Sequence, residues 1–403
     1  MFTDQIYGIL VICISRSSIA GISGNSEKTM KNKSILVALL VILGVVGAPH
    51  AQNVSKPEAK VETGDINGAA FRIEVPAVWN KGLVMYCHGY DLAGNRPPNW
   101  NDPQAKPVRD VFLSRGYAFA QSDYRTKGWA VKEAIEDTEA LRRYFVSKFG
   151  RTRETFITGH SMGAVITIAT LERYPEIYAG GMPLCGPLSP ALDFLEDRVF
   201  DMLATFEYYF PGTIGSAVDV PADFKFSPTG SDRVREALKA SPEKAAMFAK
   251  RYNVELIELP GVMSFWQAIV KELKQRTGGN PFDNRNTIYS GFDDDAAVNR
   301  GVKRYAADPN ARGYLRQYYT PIGRVSDPVL TVHTTHDPLV PARDVVYYDV
   351  TSGVAGTSDL FVARFVVANG HCNISAPRTA AAFDALLSWV HEHKRPASGE
   401  IQE

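Results

Sequence analysis

Cysteine is scarce in this chain: four residues in 403. So sparse a set is no disulfide framework, and the fold must be held mainly by apolar burial. No charge of one sign dominates. Lys and Arg number 44, Asp and Glu 44, and the basic residues are dispersed. A nucleic-acid partner is excluded on that ground, because phosphate binding needs a basic patch. Apolar runs of the ~20 residues that a bilayer requires are missing, and only one shorter run occurs, near the N-terminus. A polytopic membrane protein is excluded with them. No glycine-rich phosphate loop follows an early strand, so no nucleotide cofactor is indicated. His333 and His336 stand close to Asp337, but zinc needs three or four converging ligands, and no such set appears. No cofactor and no metal are expected. What is plentiful is apolar sequence, 45% with 11% aromatic residues against 22% charged. That composition belongs to a folded chain, long enough for one large domain or a core with a sizeable insertion.

The short apolar run spans Ser34 to Ala48. Met30-Lys31-Asn32-Lys33 precedes it and small residues close it at Ala51. A positive head, an apolar middle and a small-residue end read as a secretory signal peptide over 30–51, cut within 47–51. Residues 1–29 make little sense ahead of such a leader, so Met30 reads as the true start and 1–29 as an upstream extension. The expected destination is the periplasm or the extracellular medium, with no stable membrane span after cleavage. Losing residues 1–51 removes four Lys/Arg and two Asp/Glu, which leaves 40 basic against 42 acidic residues and a formal charge of −2. Three cysteines stay: Cys87, Cys185 and Cys372. At most one bridge can form, and buried free thiols are the default expectation, Cys185 packing in the core near the site.

From about Val61 the chain alternates between two periodicities. Ala70–Val75 alternates with period two, as a half-buried strand does, and Leu83–Cys87 is a continuous apolar run ending at His88-Gly89. Further strands are expected at 117–121, 155–158, 178–184, 328–333 and 361–367. Helices are expected at 107–115, 130–149, 162–173, 342–348 and 378–392. In the second of these, Ala134, Thr138, Leu141 and Phe145 fall on one face. Regular strand–helix alternation implies a mostly parallel sheet flanked by helices, an α/β fold. Residues 188–323 interrupt it. They are rich in aromatics, among them Phe206, Tyr208, Phe265 and Trp266, and read as a mainly helical cap inserted between two core strands. The core is thus split into 61–187 and 324–393, and a polar, frayed tail occupies 394–403.

The chemistry centres on Gly159-His160-Ser161-Met162-Gly163, which lies between an expected strand and an expected helix. A sharp strand-to-helix turn lifts a serine hydroxyl out of the sheet, and Gly159 and Gly163 supply the small flanks it requires. The helix N-terminus below favours developing negative charge. A nucleophilic serine needs a base, and the base an orienting acid. Both belong at the carboxyl ends of later strands. Asp337 follows the strand ending at His333, and His371 follows the last strand in Asn369-Gly370-His371-Cys372. The chain order Ser161, Asp337, His371 completes the candidate set.

On these residues the chain resembles the α/β-hydrolase-fold serine hydrolases, over about 61–187 and 324–393 and not over the cap. The resemblance implies an oxyanion hole made by two backbone amides, one after the nucleophile and one from a His-Gly loop. Met162 and Tyr90 match those positions. It also implies a carboxylic-ester hydrolase working through an acyl-enzyme on a small-molecule ester. A peptidase or amidase with the same triad, or a non-catalytic binding protein on the same core, remain alternatives. Secreted tannase and feruloyl-esterase relatives join a cysteine before the nucleophile to one after the histidine. Here Cys372 follows His371, but His160 precedes Ser161, so that bridge cannot form. Asp293-Asp294-Asp295 reads as a solvated helix start.

Overall fold

Gly82–Cys87 is apolar almost throughout, and it forms a strand (β3) buried at all six positions. A strand can be buried on both faces only if helices cover both. In the computed structural model, which describes residues 58–92, 97–102 and 105–401, alternate side chains of β3 enter two separate cores. Leu83, Met85 and Cys87 join one, Val84 and Tyr86 the other. The proposed upstream extension and signal peptide lie outside the described residues.

The strands are β1 (Lys60–Ile66), β2 (Ala69–Val75), β3, β4 (Ala118–Ser122), β5 (Glu154–His160), β6 (Gly180–Leu184), β7 (Val329–His336), β8 (Phe361–Asn369) and β9 (Gly399–Glu400). Their order across one sheet is β1-β2-β4-β3-β5-β6-β7-β8-β9. β1 and β2 pair antiparallel, as do β2 and β4, and every later pair is parallel. The helices joining the core strands are α1 (Ala105–Ser114), α2 (Val131–Phe149) and α3 (Met162–Arg173), with two more after β7 and β8.

Between β6 and β7 the chain departs from the sheet. It forms α4 (Ala191–Phe194), a π-helical turn (Leu195–Phe200), α5 (Asp201–Tyr209), α6 (Asp232–Ala240), α7 (Pro242–Tyr252), α8 (Leu259–Thr277), α9 (Asp295–Gly301) and α10 (Pro309–Tyr318). After β7 comes α11 (Arg343–Ala355), and after β8 comes α12 (Ala376–Glu392). The insertion has no core of its own. Its Phe200, Phe206, Phe248 and Trp266 belong to the same buried cluster as Val131 of α2 and Val165 of α3. The opposite face of the sheet is closed by α1 and α12 through Phe112 and Phe383, whose rings meet edge-on at 4.7 Å.

Two expectations need correction. The polar tail is not frayed, because residues 399–400 return to pair with β8 as the edge strand. Ile401 explains the return: its side chain is buried, and its amide donates to the Phe365 carbonyl at 2.7 Å. Nor is Cys185 a free thiol. It is bridged to Cys372, and among the described residues only Cys87 is free. Cys185 and Cys372 are far apart in sequence, but they follow two strands that both end on the same edge of the sheet.

Candidate active site

β5 ends at His160, and α3 begins at Met162. One residue must therefore turn the chain. Ser161 does so at φ +55°, a left-handed conformation that a non-glycine residue adopts only under constraint. The constraint comes from both sides. The Ser161 amide donates to the Leu184 carbonyl of β6 at 2.9 Å. Beneath it, a Cβ on Gly163 would stand 2.0 Å from the Cys87 carbonyl oxygen, and one on Gly159 would stand 2.4 Å from it. The strained serine thus depends on two residues without side chains.

Asp337 and His371 arrive from β7 and β8. His371 Nδ1 lies 2.7 Å from Asp337 Oδ2. The other carboxyl oxygen accepts from the amides of Leu339, at 2.9 Å, and Val340, at 3.0 Å. Burial by itself would raise the Asp337 carboxyl. The charge and the hydrogen bond of His371, with the Val340 amide, outweigh burial and hold it below the usual carboxylate range. Asp337 is therefore an anion at neutral pH, and Nδ1 carries the proton of the pair. His371 Nε2 lies 3.5 Å from Cys372 Sγ. Ser161, Met162, Tyr90 and His371 line one small chamber together with Trp129, Phe194, Trp266 and Leu339.

The loop after β3 abuts the serine: a Cβ on Gly89 would be 3.3 Å from Ser161 Cβ. His88 stacks on Tyr124 with ring centroids 4.0 Å apart, and its Nδ1 is 2.8 Å from the Gly89 carbonyl. A carbonyl only accepts, so Nδ1–H donates. Because the peptide is planar and trans, holding the Gly89 C=O fixes the direction of the Tyr90 N–H. His160, one residue before the serine, is buried and hydrogen-bonded to the Tyr86 hydroxyl at 3.0 Å. Burial, and then the charge of His371, push its pKa down to about 3, so it stays neutral. His333 is buried too, with Nδ1 on the Thr334 carbonyl at 2.8 Å. Among the described residues, no three His, Cys, Asp or Glu side chains converge as a metal would need. Asp294 caps α9 by accepting from the Ala297 amide at 2.8 Å, while Asp293 accepts from the Tyr209 hydroxyl.

A nine-stranded sheet of this order, with a strained serine between β5 and α3 and the Asp–His pair after β7 and β8, leaves one architecture. The fold is that of the α/β hydrolases. Residues 65–201 match a tannase-like family of unknown function, DUF6351. No curated protein matches by sequence. Est1E from Butyrivibrio proteoclasticus, solved with ferulic acid bound, is 12% identical at a TM-score of 0.45, over 81% of this chain and 98% of that one. An esterase of Pyrococcus furiosus is 13% identical at 0.40, over 83% and 88%. An acylaminoacyl peptidase of Pyrococcus horikoshii is 11% identical at 0.40, over 84% of this chain but 42% of its own length.

Three features of this site escape the sequence reading. The first is the Cys185–Cys372 bridge, which ties the residue after β6 to the residue after His371. The second is Arg198, buried in the π-helical turn. Its guanidinium donates to the carbonyls of Pro338, Leu339 and Tyr252. It thereby clamps the same loop whose amides hold Asp337. Burial lowers Arg198 to about 10, so it keeps its charge at neutral pH. A sequence signal exists here: Arg198 follows Phe194 and Leu195 at helical spacing, on the apolar face. The third is the anchoring of α8. Glu272 accepts from the Trp129 amide at 3.1 Å, and Arg276 reaches Glu272 and the Lys127 carbonyl. Trp129 and Trp266 are thus both held at the chamber beside Ser161.

Proposed function

We propose that this chain is an exported serine hydrolase that cleaves carboxylic esters through an acyl-enzyme. The observation that carries the reading is the His371–Asp337 pair, 2.7 Å apart, opening on one chamber with the strained Ser161. In this reading the Ser161 hydroxyl attacks the ester carbonyl while His371 Nε2 takes its proton. The tetrahedral oxyanion is met by the amides of Met162 and Tyr90, which are fixed before the charge develops. Collapse expels the alcohol, to which His371 returns the proton. Water then repeats the sequence on the acyl-serine. Asp337 holds the imidazole tautomer and balances its cation, without itself taking the proton.

The insertion acts as a cap that supplies the walls of the binding site. Export is supported by the leader-like segment at 30–51 and by the Cys185–Cys372 bridge, since disulfides persist in oxidising compartments. The test is turnover of an ester panel beside matched amides, by the chain from Gln52 onward and by Ser161→Ala. Ester turnover that falls on the order of 10⁴-fold or more in the variant is expected. Turnover that survives Ser161→Ala, or amides cleaved as fast as esters, refutes the reading.

A further inference from the structure

Two spaces meet at His371, and they differ greatly in size. The chamber that contains Ser161 and Met162 has a volume of about 20 Å³. One water needs roughly 10–15 Å³ on this measure, so the chamber takes a methyl or an ethyl group and little more. Its walls include Trp129, Phe194, Trp266 and Ile269. Three of these are large aromatic rings; Glu272 holds the Trp129 backbone amide, and all four residues belong to the buried core. The second space is a cavity of about 1190 Å³, at or above the upper end of ordinary ligand sites of ~300–1,000 Å³. It lies among α6, α7 and α8, and Phe226, Leu238, Val262, Phe265 and Leu339 give it an apolar lining. Of the charges on its wall, Arg235 pairs with Asp232 and Lys239 with Glu236, while Glu258 accepts from the Glu255 amide and stands 3.9 Å from His336. Phe265, Leu339 and His371 border both spaces, whereas Ser161 and Met162 border only the small one.

The chemistry of the reaction assigns the two spaces. The acyl carbon becomes bonded to Ser161 Oγ and stays there after the alcohol has left, which assigns the acyl group to the space that Ser161 and Met162 line. The leaving oxygen must lie where His371 can protonate it, so the alcohol extends from His371. We infer that the substrate is an ester of a short acyl group, acetyl or propionyl in size, with a bulky apolar alcohol. This rests on the ester-hydrolase reading above. The balance is ordinary hydrolysis. The C–O bond to the alcohol breaks, the proton taken from Ser161 leaves on the alcohol, and water supplies the hydroxyl of the released short acid.

The experiment uses two isomers, decyl acetate and methyl undecanoate, which carry the same atoms and differ only in the side of the ester that bears the chain. Single methylenes in a fitted pocket are worth about tenfold or more in specificity. A kcat/KM for decyl acetate at least about thirtyfold above that for methyl undecanoate is expected. A preference below about tenfold, or a reversed one, overturns the assignment. Leu256 lines the large cavity and is 48% exposed, so the fold tolerates Leu256→Asp. That variant lowers the ratio of decyl acetate to p-nitrophenyl acetate turnover at least about fivefold. Because both rates come from one preparation, a folding defect cancels, and an unchanged ratio overturns the inference. Ser161-dependent cleavage of p-nitrophenyl acetate separates the two levels of failure. If it is present while the isomer preference fails, only the side assignment falls. If the folded protein cleaves neither this ester nor either isomer, the ester-hydrolase reading falls with it.

Discussion

The sheet and its insertion are built on different terms, although they share one buried cluster. In the sheet half, position follows from backbone. β3, β4 and β6 are buried at every residue, and the serine turn fits because Gly159 and Gly163 have no side chains to collide with the Cys87 carbonyl. In the insertion, position follows from side chains. Arg198, Asp201, Glu207, Glu272 and Asn284 all use side-chain hydrogen bonds to fix irregular backbone or a neighbouring ring. Aromatic rings stack on one another between them, Phe200 on Phe282 at 5.1 Å. The sheet therefore sets Ser161 and the His371–Asp337 pair to backbone precision. The insertion sets the shape and polarity around them, where a single side chain can be exchanged.

The contrast predicts that backbone-limited sites fail hardest. Gly163→Ala puts a Cβ 2.0 Å from a carbonyl oxygen that β3 cannot move. A loss of about 4 kcal/mol or more is expected, read as lost soluble, cooperatively unfolding protein. A Gly163→Ala protein with wild-type Tm would break the comparison.

Next in size is the bridge, which closes a sequence separation of 187 residues between two strand ends. The double variant Cys185→Ala/Cys372→Ala is expected to lose about 2–4 kcal/mol in denaturant unfolding. Its kcat should fall as well, since Cys372 adjoins His371.

Arg198 tests the boundary between the two regions, because it reaches from the insertion to the Asp337 loop. Arg198→Met frees three carbonyls and removes a buried cation near the His–Asp pair. Loosened geometry costs about 10–100-fold in kcat, with KM little changed. A KM that rises as far as kcat falls would make Arg198 merely structural.

Asp201 gives a smaller, pH-dependent effect. Burial raises its carboxyl to about 7, while its Oδ1 accepts from the Tyr289 hydroxyl at 2.8 Å. The unfolded carboxyl ionises near 3.9. The folded form holds the proton longer, so this group favours folding at low pH, and the benefit is lost as pH rises through about 7. Asp201→Asn never ionises and can still accept from Tyr289. It should change Tm little at pH 4 and stabilise by about 1–3 kcal/mol at pH 8. Equal shifts at both pH values would refute the assignment.

The smallest effect closes the series. Gly313 lies in α10, where an added Cβ meets nothing within 4 Å. Gly313→Ala should stabilise by about 0.5–1 kcal/mol. The same substitution thus has opposite signs in the two regions.

Much of the sheet was legible because its signals are local. Period-two alternation in 70–75, continuous apolar runs at 83–87 and 361–367, and helical spacing in 130–149 each recur in β2, β3, β8 and α2, with ends shifted by one or two residues. The tail was misread because one apolar residue, Ile401, outweighs its polar neighbours only once β8 offers it a buried seat and a carbonyl. The insertion was legible as helical and aromatic, but not in shape. Its order comes from contacts such as Arg198 with Pro338 and Glu272 with Trp129, which span 140 and 143 residues.

By itself, the sequence determined the α/β class and the strand ends at which Ser161, Asp337 and His371 appear. Strand and helix periodicities, and the glycines of a tight turn, are short-range properties of the chain. Only the tertiary structure decided that Cys185 meets Cys372, that a buried arginine braces the Asp337 loop, and that a small chamber and a large cavity both border His371. Each of these is a distance between residues far apart in the chain, and such distances exist only when the sheet has brought its carboxyl ends together beneath the insertion.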